Sequence, residues 1–244
     1  MKIITLNTWT GKISSKLHDF ITEHQDVDIF LLQEVTNNAT ERTVWDDSEQ
    51  KELFKNISSL LPEHDGFFNP SVFDEWGLAM FVKKDVMVTE TGEVFVHNHR
   101  DSMVGRDCTT VGRNIQYATL MHKGSPITVV NFHGLWNGGG KTDSEDRINQ
   151  SRRIVDFIKN ISHNVILAGD FNLLPDTDSL KIIEKELGLR NLISDYNVIS
   201  TRTSHYTKPE KYADYIFVSP DIEVKNFAVL PDEVSDHAPL FMEI

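Results

Sequence analysis

The sequence predicts an α+β protein with a four-layer α/β/β/α sandwich, two mainly antiparallel sheets packed together and flanked by helices. Three observations carry this. Short apolar runs of strand length recur along the whole chain, and only a few segments show the 3.6-residue spacing of an amphipathic helix. No linker, composition break or repeat interrupts the 244 residues, so 1–244 reads as one domain.

Taken in order, Ile3–Leu6 is a buried strand that delivers Asn7, and Ser14 opens a helix with Leu17, Phe20 and Ile21 on one face as far as Gln25. Asp28–Leu32 is the next buried strand and delivers Gln33 and Glu34. Leu53, Phe54, Ile57, Leu60 and Leu61 set a helix over 48–61 that Pro62 stops. Strands are expected at Gly77–Val82, Val86–Val96, Ile115–Met121 and Ile127–Phe132, with 97–113 too polar and Gly-interrupted to join them. A long helix follows over Ser144–Ile161, then the core strand Val165–Ala168. The helix Thr177–Leu187 ends at Gly188, which suits a left-handed cap. Tyr215–Val218, Val224–Val229 and Leu240–Ile244 close the chain as strands.

Composition narrows the function classes. Apolar residues at 39% and charged residues at 25% are those of a globular protein, and a chain of this length buries roughly 70% of its extended surface without disulfides. The single cysteine, Cys108, can form neither an intrachain bridge nor a thiolate cluster, which points to a cytoplasmic setting. No signal-peptide pattern and no long apolar window is present, so no membrane insertion is expected. The 24 basic and 37 acidic residues give a net charge of −13, which opposes a non-specific grip on duplex nucleic acid.

Chemistry gathers at strand ends. Asn7, Glu34, and Asp170 with Asn172 each follow an apolar strand, and alternation turns Asp170 and Asn172 to one side while Phe171 returns to the core. Singly, each is equally consistent with turn or cap chemistry; recurrence at three strand ends favours a site. Asp236 and His237 are sequential, so both reach one pocket only from a turn before Leu240, as Pro239 suggests.

These segments resemble the endonuclease/exonuclease/phosphatase family of exonuclease III-like and deoxyribonuclease-like metal-dependent phosphoesterases. The resemblance rests on Leu6-Asn7-Thr8-Trp9, Leu32-Gln33-Glu34-Val35, Asn131-Phe132-His133, Gly169-Asp170-Phe171-Asn172, Tyr212-Ala213-Asp214-Tyr215-Ile216 and Ser235-Asp236-His237, six weak motifs in the family's order. It implies a hydrolase of phosphoric esters using Mg²⁺, or Mn²⁺ in its place, held by Glu34 with Asn7 and Asp236. It implies Asp170 as the base for water, Asn172 as the group orienting that water, and His237 on the scissile phosphate. Asp214 would fix the His237 tautomer and favour its cation. His133 stands where family members differ, and is either a phosphate contact or general acid or a satisfied strand-end histidine. Glu75 or Asp74 is the expected partner of His133.

Substrate contacts must come from loops. Arg100, Arg106 and Arg113 in 97–113 either cover phosphates or decorate a solvated hairpin, and Trp136 either stacks on a ring or packs. Gly138-Gly139-Gly140-Lys141 lacks Walker spacing. Arg147, Gln150, Arg152 and Arg153 read as a solvated face or a brace to the neighbouring loop, and the loop from Tyr206 to Tyr212 is a candidate for substrate contact. The leading expectation is a nuclease or nucleic-acid-end phosphodiesterase, with nucleic acid or another phosphate ester as its partner and no obligate protein partner. The alternatives are a phosphatase or phospholipase-type hydrolase of a small or lipid-linked phosphate, and a non-catalytic binding protein on the same fold.

Overall fold

The computed structural model describes residues 1–244. Its strands are β1 (Lys2–Asn7), β2 (Ile29–Thr36), β3 (His64–Val72), β4 (Trp76–Lys83), β5 (Val88–His97), β6 (Arg113–His122), β7 (Ser125–His133), β8 (Asn164–Asp170), β9 (Arg190–Asn191), β10 (Asp214–Val218), β11 (Asn226–Val229) and β12 (Leu240–Glu243). Its helices are α1 (Ser14–Glu23), α2 (Leu53–Leu60), α3 (Glu145–Ile158), α4 (Asp178–Leu187) and the single turn α5 (Leu192–Asp195). The strands form two six-stranded sheets in the orders β11-β12-β1-β2-β4-β3 and β5-β6-β7-β8-β10-β9.

Each sheet is antiparallel except for one central parallel pair, β1 with β2 and β7 with β8. A parallel pair needs a crossover, and α1 and α3 supply the two. Period-two alternation then sorts the central strands into layers. In the first sheet Ile3, Ile29, Leu31, Met80 and Val82 belong to the core shared with the second sheet. Ile4, Leu6, Phe30, Leu32, Ala79 and Phe81 pack instead with Leu17, Phe20, Ile21, Leu53 and Ile57 of α1 and α2. Burial on both faces is why these strands read as continuous apolar runs.

The face between the sheets changes character toward one end. Along β1 it runs Ile3, Thr5, Asn7; along β2, Ile29, Leu31, Gln33; along β7, Val129, Asn131, His133. The middle rung is a buried amide layer. Gln33 Nε2 donates to Asn131 Oδ1 at 2.7 Å across the gap, and Asn131 Nδ2 reaches Leu32 O, Ala79 O and Gln116 Oε1, each at 3.1 Å. Gln116 Nε2 in turn donates to Asn69 Oδ1 at 2.7 Å. The bonds of Gln33, Leu32 and Ala79 to Asn131 and of Gln116 to Asn69 cross between the sheets and form only when these stack correctly, while Asn131 to Gln116 links neighbouring strands of one sheet.

The expected helices appear with ends moved by up to five residues, and Gly188 takes the left-handed cap at φ 64°. Two strands, β3 and the two-residue β9, were not expected; β3 is the longer. It lies at a sheet edge, carries Gly66, Asn69 and Pro70, and bulges between Pro70 and Val72. An edge tolerates proline because one row of its N–H groups needs no partner, and the apolar pattern is then weak. No helix is long and apolar enough to cross a membrane.

Replacing Asn131 by Ala is expected to leave Gln33, Gln116 and two buried carbonyls short of partners. The loss is about 3 kcal/mol, read as a lower urea midpoint at unchanged m-value.

Candidate active site

The site forms where polar strand ends meet. Asn7 ends β1, His133 ends β7 and Asp170 ends β8, with His133 directly opposite Asp170 and Asp170 opposite Asp214 at the start of β10. Gly169 makes this crossing possible: at φ 140°, a Cβ there would lie 2.0 Å from Phe132 O. Asp236 and His237 enter from the turn before β12, held by an isolated bridge between Arg202 and His237.

Glu34 reaches the site through a distortion. The β2–β4 register shifts between Leu32 and Val35, and Glu34 adopts φ 57°, which a glutamate takes only under constraint. Thr8 supplies that constraint, its hydroxyl lying 2.9 Å from Gln33 O and 3.0 Å from Glu34 O. Asn172 has φ 55°, and its N–H donates to Asp170 Oδ1 at 2.8 Å. Strained residues held this way are common at functional sites.

Asp170 is the hub. It is 1% exposed, and its Oδ2 accepts from Asn7 Nδ2 at 2.9 Å and faces Nε2 of both His133 and His237 at 3.6 Å. Asn7 Nδ2 also donates to Glu34 Oε1 at 3.0 Å, while its Oδ1 accepts from Trp9 N. Asn7 thus bridges two carboxylates across the sheets.

The two histidines present opposite faces of the same chemistry. Arg113 Nη1 lies 3.1 Å from His133 Nδ1, and because a guanidinium only donates, Nδ1 accepts and Nε2 carries the proton. Burial, then the Arg113 charge, pushes the His133 pKa well below its usual value, so a neutral ring aims an N–H at Asp170 and Glu34. His237 Nδ1 lies 2.8 Å from Asp214 Oδ1, and Thr201 Oγ1 holds Asp214 Oδ2 at 2.9 Å. Burial pushes Asp214 up to about 6; burial, then Arg202, brings His237 down to about 4. In the free site desolvation and Arg202 outweigh Asp170 and Asp236, which works against the expected cation at His237, while Nδ1 stays paired with Asp214 and Nε2 faces Asp170.

The rest of the cleft is aromatic and cationic. All four tryptophans of the chain, Trp9, Trp45, Trp76 and Trp136, line it, in a volume of about 330 Å³. Each has a cation over its ring: Lys12 on Trp9, Arg106 on Trp45, Arg113 on Trp76, and both Lys141 and Lys208 on Trp136, at 4.9–5.4 Å.

The donor set fits a hard divalent cation. Glu34, Asp170 and Asp236 line one cleft, and no lysine or arginine lies within ion-pair distance of Glu34 or Asp170. Burial, reinforced by Asp236 and Asp170, pushes Glu34 up to about 7, the mark of acids lacking a counter-charge. Asp170, Asp214 and His237 also have ligand atoms within 4.8 Å of one another. With His237 Nδ1 hydrogen-bonded to Asp214, that cluster serves better as a proton relay than as a ligand set.

Other expectations need correction. Glu75 does not reach His133: Arg42, Thr40 and Thr43 surround it, tying the 37–52 loop to β4. Asp74 pairs with Arg100 at 3.0 Å. Arg113, two strands from the expected acid, is the actual partner. Asn172 lines the cleft with Oδ1 holding Lys141 and Nδ2 donating to Gly134 O at 3.3 Å, which leaves one N–H and one lone pair for a further partner. Tyr212 lies outside the cleft, its hydroxyl donating to Val198 O at 3.1 Å and its ring packed on the core. Tyr206 of the same loop does line the cleft, under Arg202. Arg147 and Gln150 are the expected brace, holding the loop that follows β7. Lys141, met in the sequence only as the end of a glycine run without Walker spacing, and Arg202, which was not singled out, both line the cleft.

The chain matches the model of the endonuclease/exonuclease/phosphatase family over residues 4–237. It belongs to that family, and is a hydrolase of phosphoric esters. Among solved structures it is similar to a family member from Bacteroides vulgatus, at 22% identity and TM-score 0.73, covering 99% of this chain and 97% of that one. The mannosyl-6-phosphatase of Bacteroides thetaiotaomicron is similar at 17% identity and TM-score 0.76, covering 100% and 98%. A humanized D. rerio TDP2 is similar at 16% identity and TM-score 0.74, covering 99% and 97%. No curated protein matches the chain.

A carboxyl raised to about 7 must lose its proton before it can hold a cation, so metal affinity should fall as pH drops through that value. Apparent Mn²⁺ affinity is expected to weaken about tenfold per pH unit well below pH 7. Calorimetry at pH 6 in buffers of different ionisation enthalpy should show proton release on binding, and Glu34→Gln should remove it.

Proposed function

We propose that the protein is a phosphodiesterase using Mg²⁺, with Mn²⁺ as a substitute, and acting on nucleic-acid ends or nucleotide-like esters. The supporting observation is the cleft lining: every tryptophan of the chain, each with a cation over its ring, gathers around one carboxylate centre. A base has a flat face to stack and a phosphate next to it, the pair of groups this lining offers. The −13 net charge opposes long polyanions, so a chain end or short ester suits the cleft better than extended duplex.

Glu34 and Asp236, with Asp170 alongside, would hold the metal, which supplies charge stabilisation to the phosphoryl oxygens when bound. Asp170 takes the proton of the attacking water through Oδ2, fixed by Asn7 on one side and through Oδ1 by the Asn172 N–H on the other. His133 donates from Nε2 to a phosphoryl oxygen, its tautomer set by Arg113. His237 lies across the same carboxylate oxygen, oriented by Asp214. An arriving phosphate anion raises the His237 pKa, so ligand binding and protonation of that ring are linked.

With Mg²⁺ and a panel of single-stranded and duplex DNA, RNA, a 5′-phosphotyrosyl end, inositol phosphates and sphingomyelin, turnover is expected on nucleic-acid ends. Asp170→Asn should lower kcat by about 10²–10⁴-fold with an unchanged circular dichroism spectrum. Activity confined to a sugar, inositol or lipid phosphate, with a KM independent of salt, would move the protein to the phosphatase reading.

A further inference from the structure

We propose that Lys141 and Lys208, gathered on Trp136, form a second anion subsite beside the scissile position, and that the substrate carries a second phosphate group there. The inference rests on the phosphodiesterase reading above and narrows its substrate class to esters with at least two phosphates.

Lys141 is the anchor. It is 3% exposed, its one hydrogen-bond acceptor is the neutral Asn172 Oδ1, and no carboxylate lies within ion-pair distance. A buried ammonium without a counter-charge is costly, and two of its three donors are unspent. The fold nevertheless holds it in place. Arg147, 2% exposed and itself without an ion-pair partner, directs its guanidinium onto Leu135 O, Gly140 O and Thr142 O of the loop that carries Lys141. Lys141 O accepts from Leu174 N at 2.8 Å on the other side. A second buried cation is thus committed to clamping the backbone around the first.

Lys208 completes the subsite from a different loop. It is exposed, has no carboxylate partner, and lies 4.9 Å from the centre of Trp136, against 5.4 Å for Lys141. In a chain with 37 acids and 24 bases, two unpaired lysines on one ring are a local reversal of the protein's field. The subsite adjoins the reaction centre, because Asn172 contacts Lys141 through Oδ1 and Asp170 through its N–H. The scissile phosphate has its own donor in His133, oriented by Arg113, which leaves these lysines for a neighbouring anion.

The test is a titration of the full chain in Mg²⁺ buffer with inorganic phosphate and with pyrophosphate, followed by tryptophan fluorescence, Trp136→Phe marking the reporter. Pyrophosphate is expected to bind about tenfold more tightly than phosphate, the worth of one added charge-assisted contact. Lys141→Met and the exposed-site variant Lys208→Ala should each bring its affinity down toward that of phosphate. Equal affinity for the two anions in the wild type, or a preference that survives Lys208→Ala and Lys141→Met, overturns the subsite. Turnover of bis(p-nitrophenyl) phosphate, which carries one phosphate, is measured in parallel. Its absence counts against the phosphodiesterase reading, while the titration still decides the subsite.

Discussion

The contact on which the rest depends is the hydrogen bond from Asn7 on the first sheet to Asp170 on the second. Both residues are buried, and this is the one bond that ties the end of β1 directly to the end of β8. It holds only if the two sheets stack in one register, and the amide layer beneath it, Gln33 with Asn131 and Gln116, enforces that register. Buried amides are favourable when every partner is in place and expensive otherwise, so a slip of either sheet would strand several at once. The polarity gradient along the strands, apolar then amide then ionisable, therefore builds the core and aims the site with the same residues.

A second feature follows from charge. Glu34 and Asp170 have no lysine or arginine within ion-pair distance, while Arg106, Arg113, Lys141 and Lys208 in the same cleft have no carboxylate. A protein selected for stability alone would bring such groups together. Apart from Asp236, which pairs with Arg202 at 3.4 Å, this separation leaves an acidic centre beside a basic wall, a lining suited to the proposed metal and phosphate ester. The tryptophans under the cations keep those side chains placed without neutralising them.

Much of this was legible in the sequence. The strands buried on both faces, the Gly188 cap and the strand-end residues Asn7, Glu34 and Asp170 follow from period-two alternation and its endings, whereas His133 and Asp214 came from the family resemblance. What was not legible depends on contacts between distant segments. The edge strand β3 carries too little apolar pattern to announce itself. The φ of Glu34 depends on Thr8, the residue that follows β1. Arg113 finds His133 only because β6 pairs with β7, whereas nearby acids in sequence, Asp74 and Glu75, are drawn to Arg100 and Arg42. The lowering of the His237 pKa reflects burial, which a motif does not encode.

The central claim is that Asp170 activates water for direct attack on phosphorus, with no side chain becoming covalently attached. The most direct test is the stereochemical course of hydrolysis of a chiral phosphorothioate diester in ¹⁸O-labelled water. A single in-line attack predicts inversion at phosphorus with one labelled oxygen in the product. Retention of configuration would require two displacements through a covalent adduct on Asp170 or a histidine, and would contradict the account.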